Sequence, residues 1–383
     1  MTGSGNQSDS GPSVREIAQM LQPMAESIVW QLFPHARRDG PFLCVGSLQG
    51  EAGKSLKIKI RGTNAGSWAD YATSKGDPLG KGDLLKLLQH TIGNGDLGAA
   101  VREAKRMLSI DSMDPAKLDR HRRSAAKAQA RAEQRDKDDK EKARAQAEGL
   151  WQSGSTLTPS SPPVLYLQGR GIDFSKLGKL PGALRFHAEV WHAQVKRKLP
   201  AMVSKFTRGS QHVATHVTYL EYRGGRWVKL TREGALKMGM DPAETLRTKI
   251  IRGPAHTHGG HIALWKGDTR GKLDDIPRGT AIEVSEGIED GLSFAMANPQ
   301  ARIVAAGTLG IIEVMHVPPQ AGAMHLLAQN DDKAQPREAL ERAIAAQQAR
   351  ARAAGITRDI ACRWPRPEFK DWNDWLLGKE KAG

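Results

Sequence analysis

The chain has 383 residues, of which 39% are hydrophobic and 26% are charged, a composition typical of a folded chain with hydrophobic cores. Its two cysteines, Cys44 and Cys362, are too few for a disulfide framework or for an unaided zinc site, and they fit a reducing, cytoplasmic environment. No stretch reaches the roughly 18 apolar residues of a membrane span, and the N-terminal segment lacks the apolar centre of a signal peptide, so no membrane partner is expected.

The net charge is the main functional signal of the composition. Lys and Arg number 57 against 42 Asp and Glu, which gives a formal charge of +15. Such an excess favours a polyanionic partner such as nucleic acid, because binding phosphates releases their counterions. The alternative is a basic soluble protein without such a partner.

The N-terminal third predicts a small α+β module. Residues 1–13 are rich in glycine and serine and are expected to be disordered. The elements predicted within residues 14–110 are an amphipathic helix at 14–33, strands near 42–45 and 56–60, an aromatic turn at 68–71, and helices beginning near 82 and 97.

This module carries a possible DNA-binding surface. Lys57, Lys59 and Arg61 alternate along or just beyond one predicted strand, and Trp68 and Tyr71 follow closely. Cations that contact phosphates and aromatic rings that stack on bases are the usual means of holding a single strand. A solvated strand face beside two core aromatics explains the same pattern equally well.

Residues 111–163 predict a linker. The segment 114–148 is rich in Ala, Arg, Lys, Glu, Asp and Gln, which favours a long exposed helix with ion pairs between its turns. It acts as a spacer or, as a basic rod, contacts DNA. Residues 153–163 are rich in Pro and Ser and predict a domain boundary.

Residues 164–278 predict a small antiparallel sheet, with strands at 201–206, 212–222 and 226–230. Cations are concentrated between these strands and the region that follows, and they form either one wall of a binding cleft or a solvated basic face. The candidates for binding nucleotide or template are Arg226, Lys229, Arg247, Lys249 and Arg252. The nearby His256, His258 and His261 lie in a glycine-rich loop without the spacing of a zinc site.

Residues 279–383 alternate strand and helix, which predicts a parallel sheet. Strands are predicted at 281–284, 302–306, 322–327 and 359–362. Acids follow three of these strands, and the carboxyl ends of parallel strands gather at one edge of a sheet. These acids are Glu286, Asp331, Asp332, Asp371 and Asp374. Singly, each is also explained as a helix cap, but together they would repel one another unless they shared a cation.

The order of these residues resembles the Toprim domain of primases and topoisomerases, through Glu286-Gly287, then Asn330-Asp331-Asp332, then Asp371-x-Asn373-Asp374. Upstream, the segment 164–172 (VLYLQGRGI) resembles the start of the catalytic core of phage and plasmid DNA primases of the DnaG-like type. Lys249-Ile-Ile-Arg252 stands where that family has a basic motif. The resemblance covers roughly residues 164–377.

The resemblance implies a combined α+β and α/β fold: an N-terminal α+β module, a charged helical linker, a β-rich subdomain (164–278) and a Toprim parallel-sheet domain (279–383). It also implies RNA primer synthesis on single-stranded DNA from NTPs in phage or plasmid replication, beside a separate replicative helicase. Glu286 would be the general base or a metal ligand. Mg²⁺ or Mn²⁺ would be held by Asp331 or Asp332 together with Asp371 and Asp374.

The chain departs from the family pattern at two places. The middle acidic motif normally begins with Asp, but here the best register begins with Gln329, so that metal binding is weaker, Asp332 compensates, or catalysis is lost. The N-terminal module of the family holds zinc, but here only Cys44 and His35 are near, so zinc is not expected. The rival functions are a replication accessory that binds single-stranded DNA or a helicase, and a Toprim nuclease or topoisomerase.

Overall fold

A computed structural model describes residues 12–73, 80–254, 259–331 and 334–381. The chain divides into two compact units, residues 1–139 and 140–383, so the division falls inside one long helix. Within the described residues, no helix has the length and apolar character needed to cross a membrane. The predicted disordered tail at 1–13 lies almost wholly outside the described residues.

The first unit is the small α+β module that the sequence predicts. Its described strands form a five-stranded antiparallel sheet in the order β1-β2-β3-β4-β5. The elements are α1 (Val14–Leu21), a 3₁₀ turn (Gln22–Met24), α2 (Ala25–Leu32), β1 (Arg37–Asp39), β2 (Phe42–Val45), β3 (Leu56–Lys59), β4 (Trp68–Asp70), β5 (Lys81–Gly82), α3 (Leu84–Thr91), α4 (Leu97–Met107) and a second 3₁₀ turn (Ile110–Ser112).

The helix predicted at 14–33 is two helices. Pro23 has no N–H to donate and ends α1, and a 3₁₀ turn carries the chain into α2. Both helices bury apolar side chains, among them Leu21 and Ile28, in a core shared with β2, β3 and α3. The core of this unit therefore consists mainly of aliphatic side chains.

Helix α5 (Pro115–Gln152) confirms the predicted long exposed helix. Along it, ion pairs join residues three or four apart, such as Arg123 with Asp119 and Arg144 with Glu141. Of its described side chains, only that of Ala147 is buried. Such pairs and a high content of helix-forming residues sustain a helix that has little core to pack against.

The second unit is built on one mixed sheet, eleven-stranded over the described residues. Its elements are β6 (Ser155–Thr156), α6 (Pro162–Gln168), α7 (Phe174–Leu177), β7 (Leu184–His192), β8 (Arg197–Arg208), β9 (Gln211–Arg223), β10 (Arg226–Lys229), α8 (Arg232–Lys237), β11 (Lys249–Arg252), β12 (His261–Trp265), a 3₁₀ turn (Leu273–Asp275), β13 (Ala281–Ser285), α9 (Ile288–Ala297), β14 (Arg302–Ala305), α10 (Leu309–Ile312), β15 (Ala323–Leu327), α11 (Ala334–Ala353), β16 (Asp359–Arg363) and α12 (Trp372–Leu377).

One half of this sheet is antiparallel and the other is parallel. The main path runs β10-β9-β8-β12-β14-β13-β15-β16, with β11 paired to β9 and β6 and β7 attached beside β8. Strands β14, β13, β15 and β16 are parallel to one another. The mixed fold class is therefore confirmed, and the predicted boundary at residue 279 lies within a single continuous sheet.

The parallel half places the site. After β13 the chain adds β14 on one side of it, and then crosses over to add β15 on the other side. In open α/β sheets, ligands bind outside the carboxyl ends of the strands where the strand order reverses in this way. That position here is the end of β13, immediately before Glu286.

The segment 153–163, predicted as a Pro/Ser linker at a domain boundary, contains a strand and the start of a helix. Strand β6 pairs with β7, and the hydroxyl of Ser161 accepts a hydrogen bond from the backbone N–H of Thr158 at 2.8 Å. Pro162 and Pro163 occupy the first turn of α6, where a missing N–H costs nothing. The Pro/Ser composition was therefore a helix-start signal rather than a linker signal.

Candidate nucleotide-binding cleft

A cleft of about 240 Å³ lies at the carboxyl ends of β13 and β15. Its acidic lining residues are Glu286, Glu289, Asp290 and Asp371, its basic lining residues are Arg170, Lys229 and Lys249, and His216, Gln329 and Gly307 are also part of it. Acids and cations occupy the same cleft, so their individual partners decide what each can do.

Glu286 directly follows β13 and is half-buried. Its backbone carbonyl accepts a hydrogen bond from the N–H of Gly307 at 2.9 Å, which ties the end of β13 to the end of β14. Burial raises the pKa of the Glu286 carboxyl, the negative charge of Asp331 raises it further, and Lys249 lowers it. Burial thus disfavours the charged form of this carboxyl group.

Asp290 and Asp371 form the acidic side of the cleft. Asp290 lies in the first turn of α9 and is 6% exposed. Burial and the charge of Asp371 raise the pKa of Asp290 to about 7. Asp371 is also the N-cap of α12, where its Oδ1 accepts the backbone N–H of Asp374 at 2.8 Å. The capping role and the cleft-lining role of Asp371 therefore coexist, whereas Asp374 does not line the cleft.

The segment after β15 places its three side chains in different surroundings. The Gln329 amide donates to Oδ2 of Asp290 at 2.8 Å. The Asn330 amide is directed away from the cleft and donates to the carbonyls of Pro365 and Phe369. Asp331 lines a smaller groove that it shares with Glu286 and Gln329.

These placements support the register that begins at Gln329. The Gln329 amide contacts Asp290, and Asp331 shares a groove with Glu286. Asn330 instead holds the loop that ends at Phe369. In the cleft the amide of Gln329 donates a hydrogen bond where a carboxylate would repel Asp290. Asp332, the other candidate in this motif, lies outside the described residues.

Glu289 organises the basic side of the cleft. Its side chain is 8% exposed and contacts Lys229 Nζ at 2.9 Å and Lys249 Nζ at 3.4 Å. The hydroxyl of Tyr166 donates to the same carboxylate at 2.7 Å. Although burial alone raises the pKa of Glu289, the two lysines hold it well below its ordinary value. Glu289 is therefore a charged and fully partnered carboxylate.

Two further cleft residues contain buried polar atoms without partners. The Nε of Arg170 and the Nδ1 of His216 are buried and have no hydrogen-bond partner among the described residues. Burial and the charge of Lys249 lower the pKa of His216 to about 3, so its imidazole is neutral at physiological pH. Both residues line the cleft and contain a polar atom whose hydrogen-bonding capacity is unused.

The five cations predicted to form one wall do not lie together. Lys229 and Lys249 line the cleft. Arg226 and Arg252 each lie three positions away from one of them on the same strand, so they project from the opposite face of the sheet. Arg247 is exposed, and its backbone is held by His192 and Gln194 away from the cleft lining.

In the first unit, most of the predicted DNA-binding side chains have intramolecular partners. Lys57 pairs with Asp39 at 3.1 Å, Lys59 donates to the carbonyl of Thr63 at 2.6 Å, and Arg61 pairs with Glu26 at 3.4 Å. Such exposed pairs are weak and exchange readily with other anions.

The two aromatic candidates of this unit differ from each other. Trp68 is 4% exposed and donates to the carbonyl of Asp83, so its ring is part of the core and is not available for stacking. Tyr71 is 74% exposed. The predicted pair of stacking rings is therefore reduced to one exposed ring.

Sequence reasoning missed Glu289, Asp290 and Arg170. The acids occupy the first turn of a helix, where carboxylates are common for electrostatic reasons, so they carried no special signal. The signal that could have found Asp290 is its position in the first turn of the helix that follows directly after Glu286, next to the end of β13. Arg170 stood within the quoted VLYLQGRGI motif, but its approach to the cleft depends on tertiary structure.

The chemistry of the cleft fits a hard divalent cation. Its acids supply the oxygen ligands that Mg²⁺ prefers, and burial raises the pKa of both Glu286 and Asp290, with further increases from Asp331 and Asp371 respectively. Within the described residues, no three His, Cys, Asp or Glu side chains surround a single point. The described acids instead occur as two groups, Asp290 with Asp371 and Glu286 with Asp331.

Comparisons with known proteins give limited information. A family described as "Domain of unknown function (DUF7146)" matches residues 141–244, which is less than half of the chain and assigns no activity. A comparison with curated proteins returned no match. Among solved structures, the primase fragment of the bacteriophage T7 primase-helicase protein is similar at 16% identity, covering 59% of this chain and 79% of that chain with a TM-score of 0.31. A likeness at this level carries no argument, so the function is argued from the cleft.

Proposed function

We propose that the cleft performs template-directed nucleotidyl transfer and makes short RNA primers on single-stranded DNA. The observation that carries this proposal is that carboxyl groups and the side chains of Lys and Arg line one cleft at the carboxyl ends of parallel strands. The Toprim-like order of the sequence motifs supports it, since those motifs include Glu286 and Asp371. The net charge of +15 suits a nucleic-acid template.

The acidic side would hold Mg²⁺ or Mn²⁺. Asp290 and Asp371 are the first candidates, and Glu286 and Asp331 supply further oxygens at the adjoining groove. When bound, such an ion stabilises negative charge on the reacting oxygens and on the triphosphate. Neutralising the repulsion between Asp290 and Asp371 would favour uptake of the ion.

The basic side would bind the triphosphate. Lys229 and Lys249 are each about one-third exposed, at 32% and 36%, so their ammonium groups are accessible from the cleft. The Nε of Arg170 is an unpartnered donor beside them. Guanidinium and ammonium groups both recognise phosphate oxygens, and the guanidinium does so with a fixed geometry.

Glu286 would accept the proton of the attacking 3′-hydroxyl. Its burial raises its pKa, and a base is most effective when its pKa approaches the working pH. The bond between the nucleophile oxygen and the α-phosphorus forms as the bond to pyrophosphate breaks, and the proton passes to Glu286. Lys249 lies close enough to Glu286 to stabilise its charged form before the transfer.

A primer assay tests the proposal. The full chain is incubated with single-stranded DNA, four NTPs and Mg²⁺ or Mn²⁺, and labelled oligoribonucleotides are resolved by gel. We expect products that Glu286→Gln abolishes and that Glu338→Gln, an exposed control on α11, leaves unchanged. An absence of products at every metal and template tested contradicts the proposal.

A second candidate is a non-catalytic protein that binds single-stranded DNA or a helicase. It is favoured by the amide of Gln329 in the acidic motif and by the lack of any three described ligands around one point. DNA binding that weakens with salt, without synthesis and without a cation-dependent rise in melting temperature, would favour this candidate. Nicking of supercoiled plasmid in the same preparations would indicate a nuclease instead.

A further inference from the structure

Glu289 joins three separate parts of the fold at the edge of the cleft. It lies in the first turn of α9, and its partners are Tyr166 on α6, Lys229 at the end of β10 and Lys249 at the start of β11. Strands β10 and β11 each pair with β9, at residues 220–223 and 215–218, and they are not paired with each other. One carboxylate therefore fixes the separation of two ammonium groups that the backbone leaves independent.

The contacts leave both lysines able to bind a ligand. An ammonium group has three N–H donors, so a lysine that donates one of them to Glu289 keeps two. Both lysine side chains are about one-third exposed, while Glu289 itself is 8% exposed. The carboxylate is thus covered and the cations remain accessible.

Charge explains why such an anchor is needed. Two ammonium groups at one site repel each other, and lysine side chains are long and flexible. A single buried carboxylate between them reduces that repulsion and limits their conformations, yet the cluster of Lys229, Lys249 and Glu289 keeps one net positive charge. It therefore remains attractive to an anion.

We propose that Glu289 is a positioning residue that holds Lys229 and Lys249 at the spacing needed to bind the phosphates of a nucleotide. The proposal rests on the proposed function for the identity of the ligand. Glu289 itself does not touch the ligand, because its carboxylate is covered by its three partners. Its role differs from that of the neighbouring Asp290, whose closest described partner is the amide of Gln329.

The test measures lysine reactivity as well as synthesis. Full-length wild type and Glu289→Gln are acylated briefly with an amine-reactive reagent, with and without ATP, and modification of Lys229 and Lys249 is quantified by mass spectrometry. We expect ATP to slow acylation of both lysines in the wild type, and Glu289→Gln to speed it at least threefold in the absence of ATP. Lys198, which pairs with Glu189 elsewhere, is the internal control.

Steady-state kinetics distinguish a positioning role of Glu289 from an effect of its charge alone. Removing Glu289 adds one net positive charge to the cluster, so the KM for NTP should stay the same or fall, while kcat should fall at least tenfold because the lysines are no longer fixed. Tyr166→Phe removes one hydrogen bond and keeps the carboxylate, so it should change the same quantities in the same direction by a smaller factor. If Glu289→Gln does not fold, Tyr166→Phe tests whether the contacts of Glu289 position the two lysines.

Failure of the inference is distinguishable from failure of the proposed function. ATP protection and altered lysine reactivity without any synthesis would uphold the positioning role and contradict primer synthesis. Unchanged acylation in both variants, an unchanged or higher kcat, or an absence of ATP protection in the wild type would overturn the positioning role.

Discussion

Glu283 and Glu286 lie three residues apart, at β13 and just beyond its end, but their surroundings are opposite. Glu283 is 5% exposed and receives hydrogen bonds from Arg363 Nε at 3.0 and 3.1 Å, with His325 Nδ1 at 2.9 Å. Glu286 lies at the cleft, where Asp331 raises its pKa and only Lys249 lowers it. The first acid has a built-in cationic partner in Arg363, whereas no direct ion pair of Glu286 occurs among the described residues.

This difference in surroundings distinguishes acids that stabilise the fold from acids that are available to bind a ligand. A buried carboxylate with direct cationic partners is satisfied by the fold, and removing it leaves those cations unpaired. A buried carboxylate facing other carboxylates gains stability only when a proton or a metal ion arrives. The same distinction holds within α9, where Glu289 has two lysines and Asp290 faces Asp371.

The largest expected effect is on activity. Glu286→Gln should lower primer synthesis at least about 100-fold, since it removes the proton acceptor. It should leave the melting temperature unchanged or slightly higher, because burial already disfavours the charged form of Glu286. Primer yield and thermal unfolding of the same preparation check both parts. A large loss of stability would show that the fold depends on the Glu286 carboxylate, as it does on that of Glu283, and would contradict the distinction between them.

The complementary variant is Glu283→Gln. It should lower the free energy of unfolding by about 2 to 3 kcal/mol, below the full cost of breaking a buried pair because Arg363 is 46% exposed. Chemical denaturation measures this loss, and residual activity per folded molecule should be close to that of the wild type. Stability equal to the wild type would show that the Arg363 and His325 contacts are not needed by the fold.

Gln329→Asp tests the acidic side of the cleft directly. Without a divalent ion, at a pH above the pKa of about 7 of Asp290, it should lower stability by about 2 kcal/mol, since a hydrogen bond to Asp290 becomes a repulsion. With Mg²⁺ its melting temperature should rise by more than that of the wild type, because cation affinity increases with ligand charge. Gln211→Asp, at an exposed position at the start of β9, is the control. Equal responses to Mg²⁺ in both variants would contradict the assigned register.

A smaller effect concerns pH and a site away from the cleft. His261 is 3% exposed, and burial together with Arg302 and His316 lowers its pKa from 6.5 to about 3. Between pH 6.5 and about 3, His261 is therefore protonated in the unfolded chain but neutral in the folded chain. The free energy of unfolding consequently decreases as the pH falls below about 6.5. His261→Gln should flatten this dependence in urea unfolding between pH 7.5 and 5. Parallel curves for the two proteins would show that His261 does not contribute.

Local sequence patterns predicted much of the second unit. The strands of the parallel half appear within a residue or two of their predicted bounds, because each contains a short run of apolar residues. The long helix α5 was equally clear from its composition. The candidate acids Glu286 and Asp371 do line one cleft, as the rule for parallel sheets predicts.

The features that could not be predicted from the sequence depend on tertiary structure. The cations predicted to form one wall do not all line the cleft, because Arg226 and Lys229 lie on opposite faces of β10. Which of these faces meets the cleft is decided by packing elsewhere in the fold. The helix predicted at 14–33 is interrupted at Pro23, which lacks the backbone N–H that a continuous helix needs. Glu289 and Asp290 looked alike as first-turn acids, and only their partners distinguish them.

Binding of a divalent cation tests the central claim most directly. Mn²⁺ is titrated into the protein without nucleotide, and the loss of the electron paramagnetic resonance signal of the free ion reports uptake in wild type, Asp290→Asn and Asp359→Asn, the last at an exposed position on β16. We predict that the wild type and Asp359→Asn take up at least one Mn²⁺ and that Asp290→Asn loses it. No uptake by the wild type, or equal uptake by all three proteins, would contradict a cation site at the acidic side of the cleft.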